Sequence, residues 1–254
     1  MDFPFLLNGA ISVGGVTVDE ACNLYVAMQQ NNVGGGSVYR VTYPTGQVTQ
    51  IAELSRLTRG VVYNPTDSNL YVTSLDRLVA MATDGSNSHE LAGSIAGQYL
   101  NGIALAPEGF GEYGGHLIVA QNTGSILAFD PTNAVPQVVQ TLAPFVSDVA
   151  FGGDHLYATA YLDKQIVEVT ADGMVNLVAT LTCEPDGVTV DPGGRVFAAC
   201  GREGLVYSIS LASGDIVQVA SAELNPGWAP TGVLFDAGAV LLIEEDTGLR
   251  AFFP

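Results

Sequence analysis

The sequence repeats one short phrase along its whole length. In each copy a small or polar residue precedes glycine or aspartate and an aliphatic residue; a turn and a second apolar run follow. The phrases begin at positions 15, 60, 102, 148, 187 and 232, so neighbouring copies lie 39 to 46 residues apart. Units of this length, built from four short strands, are typical of β-propellers. The spacing predicts an all-β, six-bladed β-propeller that forms a single domain over residues 1–254.

The six copies of the phrase have glycine, or in one case aspartate, at the first position and an aliphatic residue at the second. Its first two residues are Gly15-Val16, Gly60-Val61, Gly102-Ile103, Asp148-Val149, Gly187-Val188 and Gly232-Val233. The last unit reaches Pro254 before a fourth strand can form. We expect the extended apolar segment from Asp2 to Leu7 to supply that strand, because pairing it with the last blade removes the exposed edges of the ring.

Composition limits the partners. The net charge of −18 would repel a phosphate backbone, so nucleic acid is not expected as a partner. No apolar run reaches the length of a membrane span, and the start of the sequence lacks the pattern of a signal peptide. We expect a small-molecule substrate and no membrane association, with a monomer favoured. The compartment stays open: cytoplasmic as given, or exported if a leader was removed.

Large polar side chains are predicted at one mouth of the central channel. In a propeller, the loops entering each first strand and leaving each second strand converge there. The charged or amide residues at these positions are Arg59, Asn101, Asp148, Asp186 and Glu244, and Gln121, Tyr161 and Trp228 are candidates for substrate contacts. Asp19, Asp191 and Asp236 are expected in turns at the opposite end.

The three cysteines, Cys22, Cys183 and Cys200, are too few for a disulfide framework. A small buried thiol is the favoured interpretation of Cys200. Two alternatives remain open: a nucleophile at the mouth, and a disulfide with Cys183.

Two phrases carry a family resemblance. Asn101-Gly102-Ile103-Ala104 and the run from Pro185 to Gly194 resemble the blades of the senescence marker protein/gluconolactonase family and of NHL-repeat propellers. The resemblance implies a calcium or other divalent cation near the mouth, held by Asn101 and Asp186, and hydrolysis of lactones or esters. Glu244 is the candidate for the further anionic ligand. The sequence departs from the family because these two matched residues lie two blades apart and the N-terminal Glu-x-Pro-x-Trp phrase is missing.

The favoured function is therefore a cation-dependent lactone or ester hydrolase. In it, the cation would polarise a carbonyl group, and Asp186, Asp148 and Arg59 would be the catalytic residues. Oxygen ligands favour calcium or magnesium, and the scattered His89, His116 and His155 disfavour zinc. Two alternatives are a non-catalytic binding module for protein, peptide or glycan, and a metal-free lyase, isomerase or cyclase of a secondary metabolite.

Overall fold

The computed structural model describes most of the chain. The described residues are 2–3, 10–30, 34–92, 98–133, 135–142, 144–221, 230–236, 239–244 and 248–252. Side chains are described for the five sheets between β2 and β21, apart from the start of β2 and the end of β3, whereas the sixth sheet is described by its backbone pairing. Trp228 lies outside the described residues, and so does the side chain of Glu244.

In the described residues, the regular elements are strands and one short 3-10 helix. The strands are β1 (Asp2–Phe3), β2 (Ala10–Val18), β3 (Leu24–Gln30), β4 (Gly36–Thr42), β5 (Gln47–Leu54), β6 (Thr58–Asn64), β7 (Asn69–Ser74), β8 (Arg77–Ala82), β9 (His89–Ala92), β10 (Leu100–Leu105), β11 (Leu117–Gln121), β12 (Ser125–Phe129), β13 (Pro136–Thr141), β14 (Val146–Gly152), β15 (His155–Ala160), β16 (Gln165–Val169), β17 (Val175–Thr180), β18 (Gly187–Val190), β19 (Arg195–Cys200), β20 (Leu205–Ser210), β21 (Ile216–Ser221), β22 (Pro230–Asp236), β23 (Ala239–Glu244) and β24 (Gly248–Phe252). The 3-10 helix is Gly111–Tyr113, between β10 and β11.

These strands form six four-stranded antiparallel sheets, and the all-β propeller predicted from the sequence is confirmed. Five sheets use four consecutive strands each: blade 1 is β2–β5, blade 2 is β6–β9, blade 3 is β10–β13, blade 4 is β14–β17 and blade 5 is β18–β21. The remaining sheet, blade 6, has the order β1-β24-β23-β22. Asp2 pairs with Arg250 and Phe3 with Leu249, so the N-terminal strand completes this sheet, as the sequence predicts.

The first strand of each blade lies innermost. Going round the ring, β2 contacts β6, β6 contacts β10, β10 contacts β14, β14 contacts β18, β18 contacts β22, and β22 contacts β2. The core lies between neighbouring blades: Ile118 and Ile126 of blade 3 pack with Leu156 of blade 4, and Tyr157 of blade 4 packs with Val196 of blade 5. Central strands are consequently buried on both faces, which accounts for their nearly continuous apolar runs.

Antiparallel order places the loops on two faces. The mouth face carries the loops that enter the inner strands and the loops between second and third strands of each blade. The opposite face carries the other two sets of hairpins. Within the described residues, no helix is long and apolar enough to span a membrane.

Candidate active site at the channel mouth

The inner strands of blades 1 to 4 are bulged at the same place. Pairing with the second strand shifts register between Val13 and Val16, Thr58 and Val61, Leu100 and Ile103, and Val146 and Val149. In blade 5, β18 pairs with β19 from Gly187 onward without a shift. A bulge leaves residues unpaired and re-aims the strand. The phrase residues are thus released from the ladder on the mouth side of the inner strands.

Close backbone approach between blades explains the repeated glycine. A Cβ atom at Gly15 would lie 2.9 Å from Gly60 Cα, and one at Gly60 would lie 2.8 Å from the carbonyl oxygen of Asn101. One at Gly102 would lie 1.9 Å from Oδ1 of Asp148. At this position side chains are excluded by the next blade, and blade 4 is the exception, with Asp148 in place of glycine.

Asp148 places its carboxyl group between blades 4 and 5. Val149 N–H donates to Oδ1 at 2.9 Å, and Val188 N–H of blade 5 donates to Oδ2 at 3.0 Å. Its own N–H donates to Thr159 Oγ1 at 2.9 Å. The pKa of Asp148 is raised to about 7, mainly by burial and also by the negative charge of Asp186, although both backbone hydrogen bonds lower it. A pKa near 7 means that this carboxyl group gains or loses its proton close to neutral pH.

Asp186 is held at the entrance to β18. Its N–H donates to the Ala199 carbonyl at 2.8 Å, and its Oδ2 accepts the Gly201 N–H at 3.0 Å. Both contacts fix it to the end of β19 and the turn that follows. Asp148 on β14 and Asp186 at the entrance to β18 are therefore a pair of carboxylates in adjacent blades, with electrostatic coupling between them.

An aromatic and ionic cluster lies beside this pair. The Tyr161 ring packs against Phe145 with centroids 5.0 Å apart. Burial raises the pKa of Tyr161, and so do its hydrogen bond to Glu184 and the charge of Asp186. Glu184 also pairs with Arg202 at 3.2 Å. Glu184 was missed by the sequence reasoning, although its place between Cys183 and Asp186 was an available signal.

Cys183 and Cys200 form a disulfide with Cα atoms 5.9 Å apart. The favoured interpretation of Cys200 as a free buried thiol was wrong, and the pairing alternative is the one observed. Both sulfurs are buried, so composition and burial alone could not separate the two interpretations. The bond ties the loop before β18 to the last residue of β19.

Three other residues predicted at the mouth, Asn101, Gln121 and Arg59, differ from one another in burial and in hydrogen bonding. Asn101 is buried, and its side-chain N–H donates to the Val146 carbonyl of the next blade at 2.8 Å. Gln121 is buried, its Oε1 accepts the Thr123 hydroxyl at 2.9 Å, and its Nε2 has no partner in the described part of the chain. Arg59 is exposed at the blade 2 bulge.

Two threonines that the sequence analysis did not single out also form hydrogen bonds at the mouth. Thr73 accepts from the Gly60 N–H at 2.7 Å and donates to the Asn101 carbonyl at 2.6 Å. Thr159 occupies the same place in the second strand of blade 4. Their shared position after Leu-Tyr-Val and Leu-Tyr-Ala was a signal in the repeat. Asn101 and Thr73 therefore stabilise contacts between blades at the mouth.

The described side chains do not assemble the calcium site that the resemblance implies. Asn101 and Asp186 belong to blades 3 and 5, with blade 4 between them. Both oxygens of Asp148 already accept backbone hydrogen bonds. Over the residues that the structure describes, no group of three or more His, Cys, Asp or Glu side chains could hold a metal ion.

Asp19 and Asp191 cap turns on the opposite face, as predicted. Asp19 Oδ1 accepts the N–H groups of Ala21 and Asn23, and Asp191 Oδ1 accepts the Arg195 N–H. The side chain of Asp236 lies outside the described residues. The predicted division between turn residues and mouth residues holds for these two aspartates.

No family model and no curated protein matches the sequence. Among solved structures, regucalcin, a calcium-binding protein from Agrobacterium tumefaciens str. C58, has a TM-score of 0.74 at 16% identity, covering 97% of this chain and 93% of its own. Virginiamycin B lyase from Staphylococcus aureus has a TM-score of 0.68 at 13% identity, with 98% and 86% covered. A chain of the nidogen/laminin complex has a TM-score of 0.69 at 15% identity, with 83% and 80% covered. The resemblance to propellers of these types is therefore confirmed at the level of the fold.

Proposed function

We propose that this protein is a small-molecule enzyme that performs acid–base chemistry at the channel mouth, with Asp148 as the group that transfers the proton. The observation that carries the proposal is the placement of Asp148 where the other five copies of the phrase carry glycine. Burial and the neighbouring Asp186 bring its pKa to about 7, which suits a general base at physiological pH.

The substrate class that fits best is an ester or lactone. Ionised Asp148 would take a proton either from water that attacks the carbonyl carbon or, on the alcohol side of the ester, from the carbon next to the one that carries the ester oxygen. Tyr161 and Phe145 offer an aromatic surface for an apolar substrate, and Arg59 offers a guanidinium group to a carbonyl or carboxylate oxygen.

Hydrolysis and elimination give different products from the same ester. In hydrolysis, water adds to the carbonyl carbon, the alcohol leaves and takes a proton, and oxygen from solvent enters the acid. In elimination, the alcohol-side carbon loses its proton to Asp148, an alkene forms in the alcohol part, and the alkyl C–O bond breaks, so both oxygens stay in the released carboxylate. Virginiamycin B lyase, which shares this fold at low identity, is named as a lyase, so both routes belong in the test.

The decisive experiment is a screen of γ- and δ-lactones, aryl esters and cyclic depsipeptides with the wild-type protein, Asp148→Asn and Asp154→Asn. Asp154 is an exposed aspartate on the opposite face and serves as the matched control. We expect kcat/KM of the wild type to rise through about pH 7, and Asp148→Asn to lower it by roughly 10²- to 10⁴-fold. Incorporation of ¹⁸O from labelled water separates hydrolysis from elimination. Equal activity of Asp148→Asn and wild type would refute the assignment.

A second candidate is a binding propeller, and the outer strands favour it. Val138 of β13, Leu177 of β17 and Val217 of β21 are exposed, on three consecutive blades. The equivalent strand of blade 1 instead exposes Gln47, Gln50 and Glu53. Exposed apolar patches mark interaction surfaces. This candidate would be favoured if the substrate screen showed no turnover and if a binding partner of the wild type failed to bind the Leu177→Asp variant.

A further inference from the structure

A groove opens on the face opposite the mouth, between blades 4 and 5. Its volume is about 650 Å³, within the range of small-molecule pockets. Several of its lining residues are glycines, which leave the space open because they carry no side chain. Its walls include Gly152, Tyr157, Glu168, Leu177, Val190 and Leu211. The site lies away from Asp148 and does not depend on the proposed function.

Tyr157 differs from the equivalent tyrosines of two other blades. Tyr25 and Tyr71 follow leucine in the second strands of blades 1 and 2, as Tyr157 does in blade 4. The Tyr25 hydroxyl donates to Asp19 and the Tyr71 hydroxyl donates to Asp67, each in the hairpin of its own blade. The Tyr157 hydroxyl has no hydrogen-bond partner in the described residues, although the residue is only 4% exposed.

The hairpin of blade 4 explains the missing partner. Gly152 stands where blade 1 has Asp19, at the end of the inner strand. The nearby carboxylate of Asp154 lies against Gly109 of blade 3, since a Cβ atom at Gly109 would meet its oxygens at 2.3 and 2.4 Å. The Tyr157 hydroxyl therefore lies at the groove without the aspartate acceptor that blades 1 and 2 provide, and a ligand can supply an acceptor in its place.

A carboxylate lies beside this hydroxyl. Glu168 is the direct cross-strand partner of Tyr157 and of Asn176, so the three side chains form a row across β15, β16 and β17. Asn176 Nδ2 donates to Glu168 Oε2 at 3.3 Å, and His155 Nδ1 lies 2.5 Å from Oε1. The side chain of His155 is 63% exposed, so a ligand can displace it from Glu168 at small cost.

The opposite wall is mainly apolar. Val190, Pro192 and Leu211 of blade 5 face the row, and Leu177 borders it on blade 4. The other carboxylate in the groove, Asp191, is buried and already paired with Arg195 at 2.7 Å. Glu168 is thus the carboxylate that an incoming cation would meet.

We propose that this groove binds a small organic cation, an ammonium or guanidinium group on an apolar body. The cation pairs with Glu168, and the Tyr157 hydroxyl donates a hydrogen bond to an acceptor atom or to the π face of the ligand. The apolar body packs on Leu177, Leu211 and Val190. The charge of the chain, −18, favours the approach of cations over anions.

The test is calorimetric titration of the intact protein with three probes of one shape: 2-phenylethylamine, 2-phenylethanol and 3-phenylpropionate. The amine should bind with a dissociation constant below 1 mM, about tenfold more tightly than the alcohol, because a charge-assisted hydrogen bond is gained. The propionate should not bind measurably, since it meets Glu168 with like charge.

Three variants locate the binding. Glu168→Gln should weaken amine binding about tenfold and remove the preference over the alcohol. Tyr157→Phe should weaken it by roughly threefold to tenfold without lowering the melting temperature, because the hydroxyl has no partner to lose. Tyr71→Phe is the matched control, and it should leave binding unchanged.

Three results would overturn the proposal: no amine binding by the wild type at millimolar concentration, equal binding of amine and alcohol, or unchanged binding in Glu168→Gln. Loss of binding in Tyr71→Phe as well would also count against it. Asp148→Asn should bind the amine as the wild type does, which separates this site from the mouth.

Discussion

Asp148 shows how one side chain can change the use of a repeated position. Where blades 1, 2 and 3 approach the next blade closely at glycine, blade 4 inserts a carboxyl group that accepts a hydrogen bond from the Val188 N–H of blade 5. The gain is a link between blades and a titratable group at the mouth. The cost is desolvation of that group, which appears as its raised pKa.

This pKa makes stability depend on pH. The folded protein holds a proton on Asp148 up to about pH 7, whereas the unfolded chain releases it near 3.8. Between these values the folded state binds more protons, so the free energy of unfolding falls as pH rises. The slope is at most about 1.4 kcal/mol per pH unit for one group.

Asp148→Asn should remove this contribution. We expect urea unfolding at pH 5, 6, 7 and 8 to show the wild type losing stability relative to Asp148→Asn up to about pH 7, with no further divergence above it. Asp154→Asn should follow the wild type. Parallel curves for wild type and Asp148→Asn would mean that the carboxyl group is solvated and its pKa ordinary.

For single residues, the sequence predicted the location at the mouth better than the interactions that each side chain makes there. Asp148 and Asp186 were expected together and are coupled. Asn101 was expected to bind a cation, which stays a prediction; its side-chain N–H group donates to the Val146 carbonyl, a contact that the sequence did not predict. Hydrogen bonds between blades join residues far apart in sequence, and the local pattern contains no information on which acceptor lies opposite.

At the scale of elements, the bulged inner strand is the repeating device. The bulge releases two residues from pairing, and glycine at the second lets the next inner strand approach within van der Waals distance. The pattern of glycine followed by valine or isoleucine could be recognised in the sequence because each copy faces the same packing constraint. Register shifts themselves were not predicted, since they depend on the partner strand.

Gly60→Ala tests this packing. Its Cβ would lie 2.8 Å from the Asn101 carbonyl oxygen and from Ile103 Cγ2, so the two inner strands must separate. We expect a loss of about 1–3 kcal/mol in the free energy of unfolding, the usual cost of overpacking. Gly193→Ala is the control, because its Cβ would meet only the Asp191 side chain, at 3.2 Å. Chemical denaturation of both variants gives the comparison, and equal losses would contradict the account.

For the whole molecule, the consequence of closure is that the first and last strands share one sheet. β1 pairs with β24, and the inner strand β22 contacts both β18 and β2. The two ends of the chain are therefore joined at one seam. This arrangement followed from the sequence because the last unit ended before its fourth strand and an unassigned apolar segment stood at the other end.

Removing residues 1–3 should weaken that seam. The outer edge of β24 would lose its partner, and we expect the melting temperature to fall by roughly 2–8 °C with more aggregation on heating. Removal of Met1 alone is the control, since the paired residues Asp2 and Phe3 remain. Differential scanning fluorimetry with light scattering measures both effects. An unchanged melting temperature would show that β1 contributes no stability.

The disulfide gives the mouth a dependence on redox state. Cys183 and Cys200 enclose Glu184 and Asp186 within one covalent loop, 17 residues apart in sequence. Reduction would leave the entry to β18 held by hydrogen bonds such as that from Gly201 to Asp186, and the loop would regain conformational freedom. A thiol reductant would thus act on the geometry of the carboxylate pair from outside it. The proposed acid–base chemistry and the redox state of the disulfide would then be linked through the entrance to one strand.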